Sequence, residues 1–217
     1  MVSHKNNKIQ SDNHELMAEI GPDYNIVHDI ALENTAILGI NLKHDYFSGI
    51  FSKLEFINAV TYLKNLADRN NISSLYISTD PEDNGFNAYI QMKKERRLQR
   101  SAPKSPLDSG FEAQFEKMFS DAHSPMVSKS DDIFSSSVLP DILHEKGIRY
   151  VIIIGFHTET AILRSALSAL DHGLMPVVVS DAVSSYSERI YYEALDIISQ
   201  SVEIIDSRDL MKRWPDQ

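Results

Sequence analysis

An unbroken apolar run followed by a helical pattern, at residues 150–170, constrains the fold more than any other stretch of the chain. The run YVIII is typical of a strand buried on both faces of a sheet, and Gly155 is expected to end it. A helix is predicted from about Thr158, because apolar side chains recur there at the spacing of one helical face. That face comprises Ala161, Ile162, Ala166, Leu167 and Leu170. In open α/β sheets, such a strand-to-helix turn is where ligands bind, since the helix start presents unpaired N–H groups.

Five further segments have the composition of strands, and helical patterns separate them. The other predicted strands cover residues 35–40, 74–78, 126–128, 175–180 and 202–205. Helices are predicted over residues 53–70, 87–100, 111–119, 138–146, 188–199 and 209–214. Regular alternation of strand and helix predicts a parallel sheet. We therefore expect a three-layer α/β fold, with a doubly wound, mostly parallel sheet of about six strands and helices on both faces.

Residues 1–34 differ from the rest, because they are polar with only scattered apolar side chains. We expect an N-terminal arm over this segment and a single α/β domain over residues 35–217. The arm is either a short helix that packs on the body or on a neighbouring subunit, or a partly frayed terminus, and the sequence leaves both open.

Charge and composition exclude several classes of function. A net charge of −10 argues against nucleic acid or an anionic membrane as the main partner. No apolar run approaches the roughly 20 residues that a membrane span needs, and the N-terminus lacks the apolar core of a signal peptide. A cytoplasmic location is therefore expected. The chain has no cysteine, which excludes disulfides, thiolate metal sites and a cysteine nucleophile.

One basic run, KKERR at residues 93–97, stands out in this acidic chain. Such a cluster can bind an anion, but a solvated helix face is the interpretation that we favour.

Four local motifs together carry a resemblance to a known family. AILGINLKHDYF at residues 36–47 has the family's opening pattern, and GFHTETAI at residues 155–162 has its central pattern. Residues 180–182, SDA, match the motif that ends the next strand. The family's lysine motif is echoed by Lys129, Phe134, Ser137 and Leu139. On these motifs, residues 35–205 resemble the isochorismatase-like superfamily of cysteine hydrolases, which implies its Rossmann-like variant of the α/β fold.

The resemblance implies a catalytic set of an aspartate after the first strand, a lysine after the third and a cysteine at the central helix start. In that set the cysteine attacks an amide carbonyl, the aspartate takes its proton and the lysine holds the charges in place. Backbone N–H groups, presented by a cis peptide bond that we expect between Phe156 and His157, bind the oxyanion. Here the aspartate position is Asn41 and the cysteine position is Ala161, so only Lys129 is retained. Cysteine-dependent amide hydrolysis is therefore chemically excluded.

Two other chemistries of the family also lack their residues. Isochorismatases without the cysteine resemble a mechanism in which the first-strand aspartate protonates a vinyl ether, and Asn41 removes that acid. The metal motif of nicotinamidases needs histidine where residues 80–84 read DPEDN. We therefore expect no metal and no cofactor.

The remaining polar residues support two hypotheses. In the first, His157, Lys129 and Asp45 form a repurposed acid–base set, and the chain is a hydrolase or isochorismatase-type enzyme of altered mechanism. In the second, which we favour, His157 fills volume left by Ala161, Glu159 pairs at the helix N-terminus and Asp45 orients a loop. The chain is then a pseudoenzyme that binds a small acidic or amide ligand or a protein partner.

The resemblance implies that the family's aspartate is the nearest anion to the lysine, and here that position is the neutral Asn41. A buried lysine without a carboxylate partner is energetically costly. We therefore expect Lys129 to be buried and to pair with Asp45, Glu159 or a ligand anion. The ligand pocket is predicted to be lined by Phe47, Phe134, Phe156 and Thr158. For the aromatic side chains, an ordinary place in the core explains the pattern equally well.

Two more expectations follow from the resemblance. Family members assemble through helices beside the site, so we expect a homo-oligomer, which a monomeric mass in light scattering would contradict. Restoring the family residues with Asn41→Asp and Ala161→Cys is expected to give a thiol that reacts with iodoacetamide.

Overall fold

The computed structural model describes residues 30–42, 49–50, 52–80 and 126–214, together with the single positions 89, 92, 93 and 96. The chain divides into two compact units, Met1–Ile30 and Ala31–Gln217, and the described elements all belong to the second. Most of the predicted N-terminal arm lies outside the described residues. Its last part, Leu32–Asn34, forms a single 3-10 turn, and the boundary of the arm at residue 34 stays a prediction.

Within the described residues, the strands and helices alternate along the chain. The strands are β1 (Thr35–Ile40), β2 (Ser73–Thr79), β3 (Met126–Ser128), β4 (Tyr150–Phe156), β5 (Met175–Ser184) and β6 (Glu203–Ile205). The α-helices are α1 (Lys53–Arg69), α2 (Val138–Glu145), α3 (Leu163–Asp171), α4 (Glu188–Ile198) and α5 (Ser207–Arg213), and a π-helical turn (Thr158–Ile162) precedes α3.

The six strands form one parallel sheet in the order β3-β2-β1-β4-β5-β6. This confirms the predicted doubly wound sheet. The central strands β1 and β4 are buried along their whole length, as their unbroken apolar sequences predicted. The strand order reverses between β1 and β4, so the crevice at their carboxyl ends is the point where such sheets bind ligands.

Helices cover both faces of the sheet, which confirms the three-layer architecture. On one face, alternate strand residues such as Leu38, Ile153 and Val178 form a continuous apolar cluster with residues of α2, α3 and α4. On the other face α1 packs against the sheet and against α5. Phe56 of α1 is completely buried there, and its ring centroid lies 4.6 Å from that of Phe156.

Strands β4 and β5 extend further than predicted. Gly155 does not end β4, because it pairs with Ile40 of β1 and its φ of 129° lets the backbone continue beside that strand. β5 continues to Ser184, with a register irregularity against β4. The SDA motif at residues 180–182 therefore lies inside β5 and not at its end.

The central helix turns a different set of side chains toward the core than the sequence predicted. Its first turn is π-helical, so one more residue is taken up before α3 begins. The buried residues of α3 are Ser165, Ala166 and Ala169, whereas Leu167 and Leu170 are 37% and 39% exposed. The prediction that these two leucines face the core is therefore wrong.

The segment between β2 and β3 is described at few positions. Tyr89, Met92, Lys93 and Arg96 are helical, in agreement with the helix predicted over residues 87–100. The helix predicted over residues 111–119 lies outside the described residues. In the part of the chain that the structure describes, no helix is both long enough and apolar enough to cross a membrane.

Candidate functional site

Asn41 follows β1 directly, and its side chain extends the hydrogen bonding of the sheet. The backbone N–H of Asn41 donates to the carbonyl of Ile77 at 2.9 Å. Its Oδ1 accepts the backbone N–H of Thr79 at 2.8 Å, and its Nδ2 donates to Thr79 Oγ1, also at 2.8 Å. The residue is 1% exposed, so both polar atoms of the amide are committed to the end of β2.

The backbone at Asn41 is left-handed, with a φ of 56°. Asparagine adopts this conformation more readily than most residues that carry a Cβ, because its short amide can hydrogen-bond locally. The residue at the family's aspartate position therefore links two strands, through both its backbone and its side chain.

Lys129 follows β3 and projects into solvent. Its side chain is 61% exposed, and its Nζ lies 3.9 Å from Oδ2 of Asp80, which is itself 71% exposed. The prediction that Lys129 is buried is therefore wrong, because the turn after β3 places the ammonium group beside the carboxyl end of β2. Of the three partners expected for it, which were Asp45, Glu159 or a ligand anion, Glu159 is not the carboxylate that it contacts. Asp45, another predicted partner, lies outside the described residues. An exposed pair at this distance adds little to stability.

Two aromatic residues predicted to line a ligand pocket belong to the core. Phe134 is 2% exposed, and its ring centroid lies 5.8 Å from that of His172. Phe156 is 1% exposed and packs against Phe56. The prediction that they line an open pocket is wrong for both, because the turn after β3 and the end of β4 direct them into the packed layers. Phe47 lies outside the described residues.

His157 begins the π-helical turn and turns the chain with a left-handed φ of 68°. The described residues contain no cis peptide bond, so the cis bond predicted between Phe156 and His157 is wrong. The carbonyl of His157 accepts the N–H of Thr160 at 3.0 Å and that of Ile162 at 3.1 Å. These two N–H groups at the start of the helix are thereby occupied within the turn.

The π-helical turn holds two of the predicted site residues in the interior. Ala161 is 0% exposed and belongs to the apolar cluster between the sheet and α3. Thr158 is also 0% exposed, and its Oγ1 has no hydrogen-bond partner among the described residues. Neither side chain is therefore accessible to a substrate in this conformation.

His157 and Glu159 contact the segment that follows β5. The ring centroids of His157 and Tyr186 are 5.5 Å apart, at an interplanar angle of 60°. The carboxylate of Glu159 accepts a hydrogen bond from Ser185 Oγ at 2.6 Å. His157 contacts Tyr186 while Lys129 contacts Asp80, so these contacts do not assemble the two residues into one acid–base set.

Residues of the SDA motif, 180–182, form hydrogen bonds that hold β5 to neighbouring helices. Asp181 accepts hydrogen bonds from the backbone N–H of Ser207 at 2.8 Å and from its hydroxyl at 2.5 Å, which ties β5 to the start of α5. The carbonyl of Ser180 accepts the hydroxyl of Tyr191 at 2.7 Å. Burial raises the pKa of Tyr191, which keeps its hydroxyl protonated as a donor.

A cavity of about 240 Å³ opens beside Glu159. The described residues that line it include Lys93 and Arg96 from the basic run and Ser185 and Tyr186 after β5, and they include none of the three family triad positions. Sequence analysis missed this site, because its described lining comes from three segments that are far apart in the chain, around Lys93, Glu159 and Ser185. The basic run was the one available signal.

Comparison with known proteins agrees with this architecture. Residues 35–209 match the family model of the isochorismatase domain. The MAR1 ribonuclease from Caenorhabditis elegans is similar at 18% identity and a TM-score of 0.61, over 85% of this chain and 83% of that one. A nicotinamidase/pyrazinamidase, PncA from Bacillus subtilis, is similar at 16% identity and a TM-score of 0.59, over 80% of this chain and 100% of that one.

An isochorismatase-like hydrolase from Alkaliphilus metalliredigens is similar at 14% identity and a TM-score of 0.61, over 86% of this chain and 99% of that one. At such identities these similarities show the fold alone. No curated protein matches the chain at a significant level.

Proposed function

The chain belongs to the isochorismatase family, and we propose that it is a pseudoenzyme of that family, which has lost cysteine-hydrolase chemistry and acts by binding a small ligand or a partner. One observation carries the proposal, namely the burial of Asn41 with both amide atoms hydrogen-bonded to Thr79. A neutral amide held in this way does not take a proton from a nucleophile.

The other two triad positions support the same conclusion. Ala161 has no nucleophilic atom and is enclosed in the apolar cluster, and Lys129 faces solvent beside Asp80. Amide hydrolysis needs a nucleophile, a base and oxyanion donors around one carbonyl group. The three positions do not form such a set, and two N–H groups of the adjoining turn donate to the carbonyl of His157.

We expect the purified protein to show no turnover of nicotinamide, simple amides or isochorismate above the rate in buffer. The measurement is product formation by chromatography, with an active nicotinamidase as the positive control. Turnover that is lost in His157→Ala and kept in His144→Ala would contradict the proposal. That result would favour the alternative, an enzyme of altered mechanism that uses His157, Lys129 and Asp45.

The structure also changes the outcome expected for a restored thiol. Because residue 161 is 0% exposed, we expect Ala161→Cys, alone or with Asn41→Asp, to resist iodoacetamide. Its reaction should be at least about tenfold slower than that of Ser135→Cys, since the reagent must wait for local opening of the turn. Ser135 is exposed and serves as the matched control, and both thiols should react alike in urea. Equal rates in the folded proteins would show that residue 161 lies in an open pocket.

Assembly and location stay predictions. A homo-oligomer and a cytoplasmic location are part of the proposal, and they rest on the family and on the sequence. Light scattering of the purified chain tests the first, and a monomeric mass would contradict it.

A further inference from the structure

The cavity beside Glu159 combines positive charge with a wall of hydroxyl groups in an otherwise acidic protein. Lys93 and Arg96 are helical positions three residues apart, a spacing that places both side chains on the same side. The ammonium of Lys93 lies 5.4 Å from the ring centroid of Tyr89, a cation–π contact that restrains it. Among the described residues, neither cation is in an ion pair.

The charges on the described part of the cavity wall favour a ligand with a single negative charge. Lys93 and Arg96 contribute two positive charges, and Glu159 contributes one negative charge at a position fixed by its hydrogen bond from Ser185. The described lining therefore carries a net charge of +1, which one carboxylate neutralises. A phosphate dianion would overcompensate this charge and would meet the carboxylate of Glu159. The planar guanidinium of Arg96 also matches a carboxylate in geometry.

The rest of the described wall indicates what else the ligand contains. Ile190 is the aliphatic residue among these lining side chains, and Ser185 and Tyr186 bring hydroxyl groups. The volume of about 240 Å³ is below the roughly 300–1,000 Å³ that is typical of pockets for drug-sized ligands. A ligand that fits is therefore short, with an apolar body of a few carbon atoms.

We infer that this cavity binds a small monocarboxylate, with its carboxylate between Lys93 and Arg96 and its apolar body against Ile190. The described residues that line the cavity include none of the triad positions Asn41, Lys129 and Ala161. The inference goes beyond the proposed loss of catalysis and does not depend on it. Binding here and inertness toward amides are measured in different assays, so that either can fail alone.

The test is a thermal-shift titration of the full chain with 3-methylbutanoate, 3-methylbutanamide and inorganic phosphate, in a mildly alkaline buffer in which phosphate is mainly the dianion. The carboxylate and the amide have the same shape and differ in charge. We expect a saturable rise in Tm with 3-methylbutanoate. The midpoint should be at least about tenfold higher for the amide, because it lacks the charge that strengthens hydrogen bonds to Lys93 and Arg96. It should also be at least about tenfold higher for phosphate, because the dianion meets the carboxylate of Glu159. Equal midpoints for the acid and its amide, or no saturable shift with the acid, would overturn the inference.

Paired charge variants locate the site. In the double variant Lys93→Gln and Arg96→Gln, the shift with 3-methylbutanoate should vanish. The matched control is Lys146→Gln with Lys212→Gln, which removes the same charge from exposed positions away from the cavity and should keep the shift. A shift that survives in the first double variant would place the binding elsewhere and overturn the inference.

A third variant tests the argument from charge. Glu159→Gln keeps an acceptor for Ser185 and raises the net charge of the described lining from +1 to +2. Its midpoint for inorganic phosphate should fall at least about tenfold, because the repulsive carboxylate is gone. An unchanged phosphate midpoint in this variant would contradict the proposed charge selection.

Discussion

Gly155→Ala is expected to destabilise the domain by about 4 kcal/mol or more, a large fraction of the roughly 5–15 kcal/mol that stabilises a typical domain. A Cβ at this position would lie 1.9 Å from the carbonyl oxygen of Ile40, so the backbones of β4 and β1 would have to separate. The φ of 129° adds strain for any residue with a side chain. The measurement is urea unfolding followed by circular dichroism.

Gly147 provides a control that separates the two causes. It also has a positive φ, of 70°, but a Cβ there would meet nothing within 4 Å. Gly147→Ala should therefore cost only the conformational term, about 1–2 kcal/mol. If the two variants lose the same free energy of unfolding, the close approach of β4 to β1 is not what requires a glycine at position 155.

Asn41→Ala is expected to lower the free energy of unfolding by about 2–4 kcal/mol, or Tm by roughly 5–15 °C. The substitution leaves the backbone N–H and the hydroxyl of Thr79 without the partner they have in a nearly solvent-free position. It also puts alanine at a φ of 56°. Thermal and urea unfolding of the purified variant measure both effects together.

Asn71 is the matched control for that substitution. Its φ is 53°, close to that of Asn41, and it is exposed at the end of α1. Asn71→Ala should therefore show the backbone term alone, with a loss of about 1 kcal/mol. The difference between the two variants isolates the hydrogen bonds to Thr79. A difference near zero would remove the structural reason for an asparagine at the family's aspartate position.

The fold was predictable from the sequence because burial and periodicity determine it locally. The run TAILGI predicted β1 at its observed bounds, because a short, continuously apolar run is typical of a strand with helices on both faces. Gly155 was misinterpreted as a stop, because its role depends on the position of Ile40 in a neighbouring strand. A local pattern contains no information on such a contact.

The site was less predictable for the same physical reason. The replacement of the family's aspartate by Asn41 and of its cysteine by Ala161 is evident from the sequence alone. The hydrogen bonds of Asn41 and the pairing of Lys129 with Asp80 are not, because they depend on three strands that meet at one edge of the sheet. The described lining of the cavity beside Glu159 comes from three distant segments. From composition alone, the basic run at residues 93–97 was interpreted as a solvated helix face, because nothing in its own sequence indicates which residues it faces in the fold.

The π-helical turn at Thr158–Ile162 has a consequence for how this protein can change. A turn with one extra residue rotates every later side chain of the helix by about 100° relative to a helix that begins as α. In this chain Ser165, Ala166 and Ala169 of α3 meet the sheet, and Leu167 and Leu170 are exposed. Point mutation at residues 41 and 161 therefore changes two side chains, while the wider turn that buries residue 161 keeps the same number of residues.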